Sequence, residues 1–128
     1  MSEQKSILIT GGTRGIGRAV ALSQADKGVP LFLNYLRDDA SAEKVRVEAE
    51  KKGAKVVLAP GNVGDPEGVD AVFSAVKRST DRLDALVHCA ALGVFKPVHQ
   101  LRVKDWDISL DVNAKALLIL AQTALPFM

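Results

Sequence analysis

The chemistry of this chain starts at residues 10–17, Thr10-Gly11-Gly12-Thr13-Arg14-Gly15-Ile16-Gly17, directly after the apolar run Ile7-Leu8-Ile9. A strand, a glycine turn and a helix start, in that order, build a phosphate site from backbone alone. Glycine takes positive φ and lets a ligand come close to the main chain. A helix opening near Gly15 aims unpaired N–H groups and the positive end of its dipole at the turn. A pyrophosphate fits there without any catalytic side chain. The strand before the turn and the helix after it separate a nucleotide-binding turn from a mere bend. Other reactive side chains are sparse. There is one cysteine, Cys89, and there are two histidines, His88 and His99. No partner cluster surrounds them, so His88 and Cys89 read as buried strand residues, and no metal site is expected. The single tyrosine, Tyr35, has Asp39 four residues later.

The elements that position the turn alternate between strand and helix. The first strand is expected over residues 5–10. A helix follows from Gly15 to Lys27, where Ile16, Ala19 and Val20 open an apolar face at i, i+3 and i+4; Gly28 is placed to end it. The second strand is Leu31-Phe32-Leu33-Asn34-Tyr35, with Pro30 tolerated at its start. Residues 39–52 read as a charged helix, with Glu48 and Lys52 as an i, i+4 pair and Gly53 as its stop. Lys55-Val56-Val57-Leu58-Ala59 is the third strand. Asp65-Pro66 opens the next helix as an N-cap acid followed by proline, and Val69, Val72, Phe73 and Val76 share one of its faces. Leu83 to His88 is the fourth strand, and a last helix runs from Lys104 to the end. Alternation with short connections implies an α/β fold, a Rossmann-like doubly wound parallel sheet with right-handed crossovers. The expected order is 3-2-1-4, with the ligand at the carboxyl ends of the strands beside the first.

Bulk properties set the class. The 128 residues, 48% hydrophobic and 25% charged, suit one globular domain over residues 1–128. A net charge of +2, from scattered basic residues, gives no reason to expect a nucleic-acid partner. The lone cysteine rules out an internal disulfide. Met1-Ser2-Glu3-Gln4-Lys5 leads into too short an apolar run for a signal peptide or a bilayer span. A cytoplasmic location without a membrane partner is therefore expected.

The turn has the spacing T-G-x-x-x-G-x-G, and with it the chain resembles the short-chain dehydrogenase/reductase family. The likeness continues along the chain. Gly61-Asn62-Val63-Gly64-Asp65 looks like the family's D-V-x-D segment. His88-Cys89-Ala90-Ala91 stands where N-N-A-G is usual. Asp111-Val112-Asn113-Ala114-Lys115-Ala116 looks like the helix between the fourth and fifth strands. Cys89 through Pro97 and Asn113 through Ala116 look most like enoyl-acyl-carrier-protein reductases of type III, with 3-oxoacyl-acyl-carrier-protein reductases close by.

The resemblance implies roles for particular residues. Gly11, Gly15 and Gly17 hold the turn, the pyrophosphate approach and the helix–sheet packing, with Thr13 and Ile16 lining the loop. Cofactor choice is read at the end of the second strand, where an acid accepts the ribose of NAD. Here Tyr35-Leu36-Arg37 carries none before Asp38. Arg37 and Arg14 can clasp a 2′-phosphate, so NADPH is expected over NADH. By family position Asn62 and Val63 flank the adenine, and Cys89, Ala90 and Ala91 border the cofactor. Asn113 matches the helix asparagine that holds a water in the family's proton relay. Trp106 reads as a packing residue. From Ala114 to Leu125 the helix is apolar almost all round, which implies cover on two sides, by the sheet and by a second subunit. Hydride transfer also needs a proton donor. The family takes it from a Ser-Tyr-Lys set that this chain lacks. The expectation is thus the cofactor-binding half of a reductase acting on a carbonyl or an enoyl thioester, inactive by itself. The alternative is a non-catalytic dinucleotide-binding or regulatory module.

Overall fold

The computed structural model describes residues 5–26 and 28–128. Ile7–Thr10 forms β1, Pro30–Tyr35 β2, Lys55–Pro60 β3 and Ala85–His88 β4. All pairings are parallel and the order is β3-β2-β1-β4, as alternation requires. Successive side chains of a strand point to opposite faces. Leu8 and Phe32, side by side in register, enter one core, while Ile9, Leu31 and Leu33 enter the other. That two-sided burial explains why these strands are apolar throughout.

Helices α1 (Gly15–Ala25) and α2 (Asp39–Lys51) cover the second core through Ala21, Ala25, Val45 and Ala49. The expected end of α1 at Lys27 lies outside the described residues. Helix α3 (Pro66–Lys77) covers the first core with Val69, Val72, Phe73 and Val76. Asp65 caps it by accepting the Glu67 N–H at 3.3 Å.

Four expectations need correction. β1 begins at Ile7 because the Ser6 carbonyl accepts the Asp84 N–H at 2.9 Å, outside the ladder. β4 begins at Ala85 because the Leu83 N–H turns to the Phe127 carbonyl at 2.9 Å. Glu48 and Lys52 do not pair with each other. Arg18 takes Glu48 at 2.6 Å and Asp26 takes Lys52 at 3.3 Å, so both ion pairs join α1 to α2. Trp106 is 66% exposed and packs into no core.

The last helix is also not regular. It comprises α4 (Val103–Leu110), a π turn (Asp111–Lys115), α5 (Ala116–Ala124) and a 3₁₀ turn (Leu125–Phe127). By length and composition, Val103–Phe127 is long and apolar enough to cross a membrane. Ala116, Leu120 and Ala124, however, are fully buried in the first core. With the Leu83–Phe127 bond, they make this helix a layer of the fold, with Leu117, Leu118 and Leu125 exposed on its outer side.

Candidate functional site

The glycine turn lies at the carboxyl end of β1 and opens a cleft of about 410 Å³. Gly11 and Gly15 both have positive φ, 58° and 56°, a region that side chains disfavour. A Cβ on Gly11 would press the Ala90 nitrogen at 2.8 Å, so the turn closes against the end of β4. A Cβ on Gly17 would overlap the Gly11 carbonyl, which is how α1 packs onto the turn. A Cβ on Gly15 would meet nothing within 4 Å. Gly15 therefore faces open space at the first residue of α1, where the N–H groups are unpaired. Arg14 is the extended residue before the helix and makes no side-chain cap, which leaves those amides to an anion.

Around the turn the structure gathers the expected residues. Thr13, Arg14, Ile16, Tyr35, Leu36, Arg37, Asn62, Val63, Cys89, Ala90 and Ala91 all line the same cleft. Ile16 is among the most exposed apolar side chains, at 78%. Val63 is buried in the first core yet still reaches the cleft wall. Asn62 Oδ1 accepts the Gly64 N–H at 2.9 Å, which shapes its own turn. Arg14 and Arg37 are exposed at the cleft rim. Asp38, the acid next to Arg37, has both carboxylate oxygens on Ser41, accepting its N–H at 3.0 Å and its hydroxyl at 2.7 Å. These bonds, the backbone one first, hold the carboxyl below its ordinary range, aided by the charge of Arg14. The Asp38 carboxylate thus caps α2.

Asn113 is the one expected residue outside the cleft lining. It sits in the π turn and clasps the backbone of Leu92. Its Oδ1 accepts the Leu92 N–H at 3.0 Å, and its Nδ2 donates to the Leu92 carbonyl at 2.7 Å. Tyr35 donates its hydroxyl to Asp39 Oδ1 at 2.6 Å. That bond, ahead of burial and charge, pushes the phenol up to about 12, the wrong direction for a proton donor working near neutrality. His88 and Cys89 are half-buried rather than buried. Among the described residues, no group of three or more His, Cys, Asp or Glu could hold a metal.

Two residues that organise the site lie outside the sequence-based set. Asn34 is 2% exposed in the middle of a parallel sheet. Its Oδ1 accepts the Gly11 N–H at 3.3 Å, and its Nδ2 donates to the Ala59 and Gly61 carbonyls at 3.0 and 3.1 Å. One amide thus ties together the ends of three strands. Its signal was a lone polar residue inside Leu31-Phe32-Leu33-Asn34-Tyr35, since a buried polar group needs partners. Thr10 is fully buried and its Oγ1 accepts the N–H groups of Cys89 and Ala90 at 3.0 and 3.1 Å. It fixes the wall opposite the glycine turn.

This geometry agrees with the comparisons to known proteins. The model of the short chain dehydrogenase family matches residues 5–128. The chain belongs to that family. Its dinucleotide-binding Rossmann fold is also that of a solved structure, the L-sorbose reductase of Gluconobacter frateurii complexed with NADPH and L-sorbose. That protein superposes with a TM-score of 0.89 at 31% identity, over 98% of this chain and 48% of its own. Among curated proteins, a 3-oxoacyl-[acyl-carrier-protein] reductase of Staphylococcus aureus is 34% identical over all of this chain and 52% of its own length. A 1-cyclohexenylcarbonyl-CoA reductase of Streptomyces collinus is 36% identical over 94% of this chain and 43% of its own. The chain spans about half the length of the curated relatives it matches.

Proposed function

We propose that this chain is the cofactor-binding part, one incomplete Rossmann domain, of an NADPH-dependent short-chain reductase. The observation that carries the reading is the open backbone cradle at Gly15, framed by Gly11 and Gly17 and facing a cleft. The residues present fit a dinucleotide. The first amides of α1 would hold the pyrophosphate, Asn62 and Val63 would flank the adenine, and Ala90 and Ala91 would border a cofactor ribose. Bound NADPH would supply the hydride. Arg14 and Arg37 at the rim would receive the 2′-phosphate, while the Asp38 carboxylate is engaged with Ser41. Titration of the 128-residue chain with NADPH and NADH side by side tests this. Tighter NADPH binding is expected. Arg37→Asp should weaken NADPH about ten- to a hundredfold, the worth of a charge-assisted hydrogen bond, and NADH much less. Equal losses would remove Arg37 from the phosphate.

The substrate class proposed is an acyl thioester, reduced at a carbonyl or an enoyl group. The names of the Staphylococcus and Streptomyces relatives both contain such a group, and residues 89–97 and 113–116 resemble enoyl reductases of type III. Asn113 would serve the proton relay. A cytoplasmic location and a homo-oligomer through the last helix complete the proposal.

A second reading is a dinucleotide-binding module without chemistry. The Tyr35–Asp39 bond favours it, because the only tyrosine in these residues is on the adenosine side and held protonated. Both readings give the 128 residues no turnover by themselves. Steady NADPH oxidation with a thioester would overturn that inactivity and the second reading with it. A Tyr-x-x-x-Lys sequence encoded after Met128 would decide for the reductase.

A further inference from the structure

Donor and acceptor counting around Thr10 leads to His88. The Thr10 Oγ1 already accepts two backbone N–H groups, from Cys89 and Ala90. A hydroxyl has two acceptor lone pairs and one proton. Its own proton therefore goes to the remaining neighbour, His88 Nδ1, at 2.7 Å. The other ring nitrogen, Nε2, lies 3.1 Å from the Val112 carbonyl. A carbonyl only accepts, so the ring carries its proton on Nε2. The result is a directed chain from the Cys89 and Ala90 amides through Thr10 and His88 to Val112.

Val112 lies in the π turn, and its neighbour Asn113 holds Leu92 by two hydrogen bonds. The segment from His88 to Leu92 is thus fixed to the long helix at both ends. π turns inside helices recur at functional sites, and here side chains from two places hold one. Ala90, Ala91, Leu92 and Val112 all line the dinucleotide cleft.

We propose that His88 is a positioning residue: in its Nε2–H form it braces the π turn against the end of β1 and so sets the cleft wall from Ala90 to Leu92. Its effect on NADPH rests on the cofactor reading above; the brace itself does not.

The test uses the full 128-residue chain, labelled with ¹⁵N. A long-range ¹H–¹⁵N spectrum, with His99→Gln to assign the two rings, should show His88 protonated at Nε2 and bare at Nδ1. A proton on Nδ1 overturns the proposal without any His88 variant. Amide exchange at Cys89, Ala90 and Leu92 is then compared in the wild type, His88→Phe and His88→Gln. Phenylalanine keeps the ring and loses both bonds. Glutamine offers one acceptor and one donor in a single amide. Exchange at these amides should rise about tenfold in His88→Phe, the worth of one net hydrogen bond, and return most of the way in His88→Gln. Equal protection in all three proteins overturns the brace. NADPH affinity should fall about five- to tenfold in His88→Phe, in step with the exchange. If the wild type binds no dinucleotide, the cofactor reading falls, while the tautomer and the exchange still decide for or against His88.

Discussion

Gly15 and Gly17 stand two positions apart and answer to different constraints. Gly17 has no room for a methyl group, because the Gly11 carbonyl occupies it. Gly15 has room, but a positive φ and an open face. Gly17→Ala should therefore unfold or strongly destabilise the chain, by about 1–3 kcal/mol or more. Gly15→Ala should cost only the strain of a left-handed alanine, about 1–2 kcal/mol, yet abolish measurable NADPH binding. Thermal melts with and without NADPH separate the two. If Gly15→Ala binds NADPH as the wild type does, the cradle is not where the pyrophosphate sits. The glycines were readable in the sequence because a strand and a helix bracket them. Asn34 and Thr10 are not legible in this way, because each acts through backbone atoms 23 to 80 positions away, and no local pattern reports such bonds. Cys89 is half-buried for a related reason: it lies just past β4, which among the described residues is paired on one side only.

Alternation and hydrophobic period gave the strands and the first three helices to within a few residues. They failed where a partner outside the element sets the boundary. The π turn is one case, since Asn113 and Val112 answer to Leu92 and His88. A further tie holds the start of α4, which is expected at Lys104 and found at Val103. Asp105 is buried, accepts the Arg102 N–H at 3.0 Å and its guanidinium at 2.7 Å, and meets Lys96 at 3.2 Å. The Arg102 side chain, then its backbone N–H, then Lys96 hold this carboxyl well below the usual carboxylate range. A depressed native value means the stabilisation is present in full above the unfolded carboxylate range, about pH 4, and is lost as pH falls through the native value. Asp105→Asn should therefore melt below the wild type at pH 7, and the gap should close steadily as pH drops below 4. A gap that is constant with pH would leave Asp105 a neutral packing residue.

At the scale of the 128 residues, two apolar surfaces stay open among the described residues: the outer edge of β4 and the outer side of α5, with Leu117 and Leu118 half-exposed. Unpaired edges and apolar faces associate. The chain should self-associate in sedimentation at micromolar concentration, and Leu118→Glu should shift it toward monomer without changing dinucleotide affinity. Association that persists in Leu118→Glu would move the contact away from the last helix. The sheet order has a kinetic consequence as well. Thr10 meets Cys89 and Ala90 only after 79 and 80 positions of chain have been made, and contacts of such sequence separation form slowly. A nascent chain that has emerged only through β3 already owns the glycine turn but has nothing opposite it. On the proposed reading, dinucleotide capture during synthesis would wait for the fourth strand, and the cofactor would be a ligand of the folded sheet rather than a nucleus for its beginning.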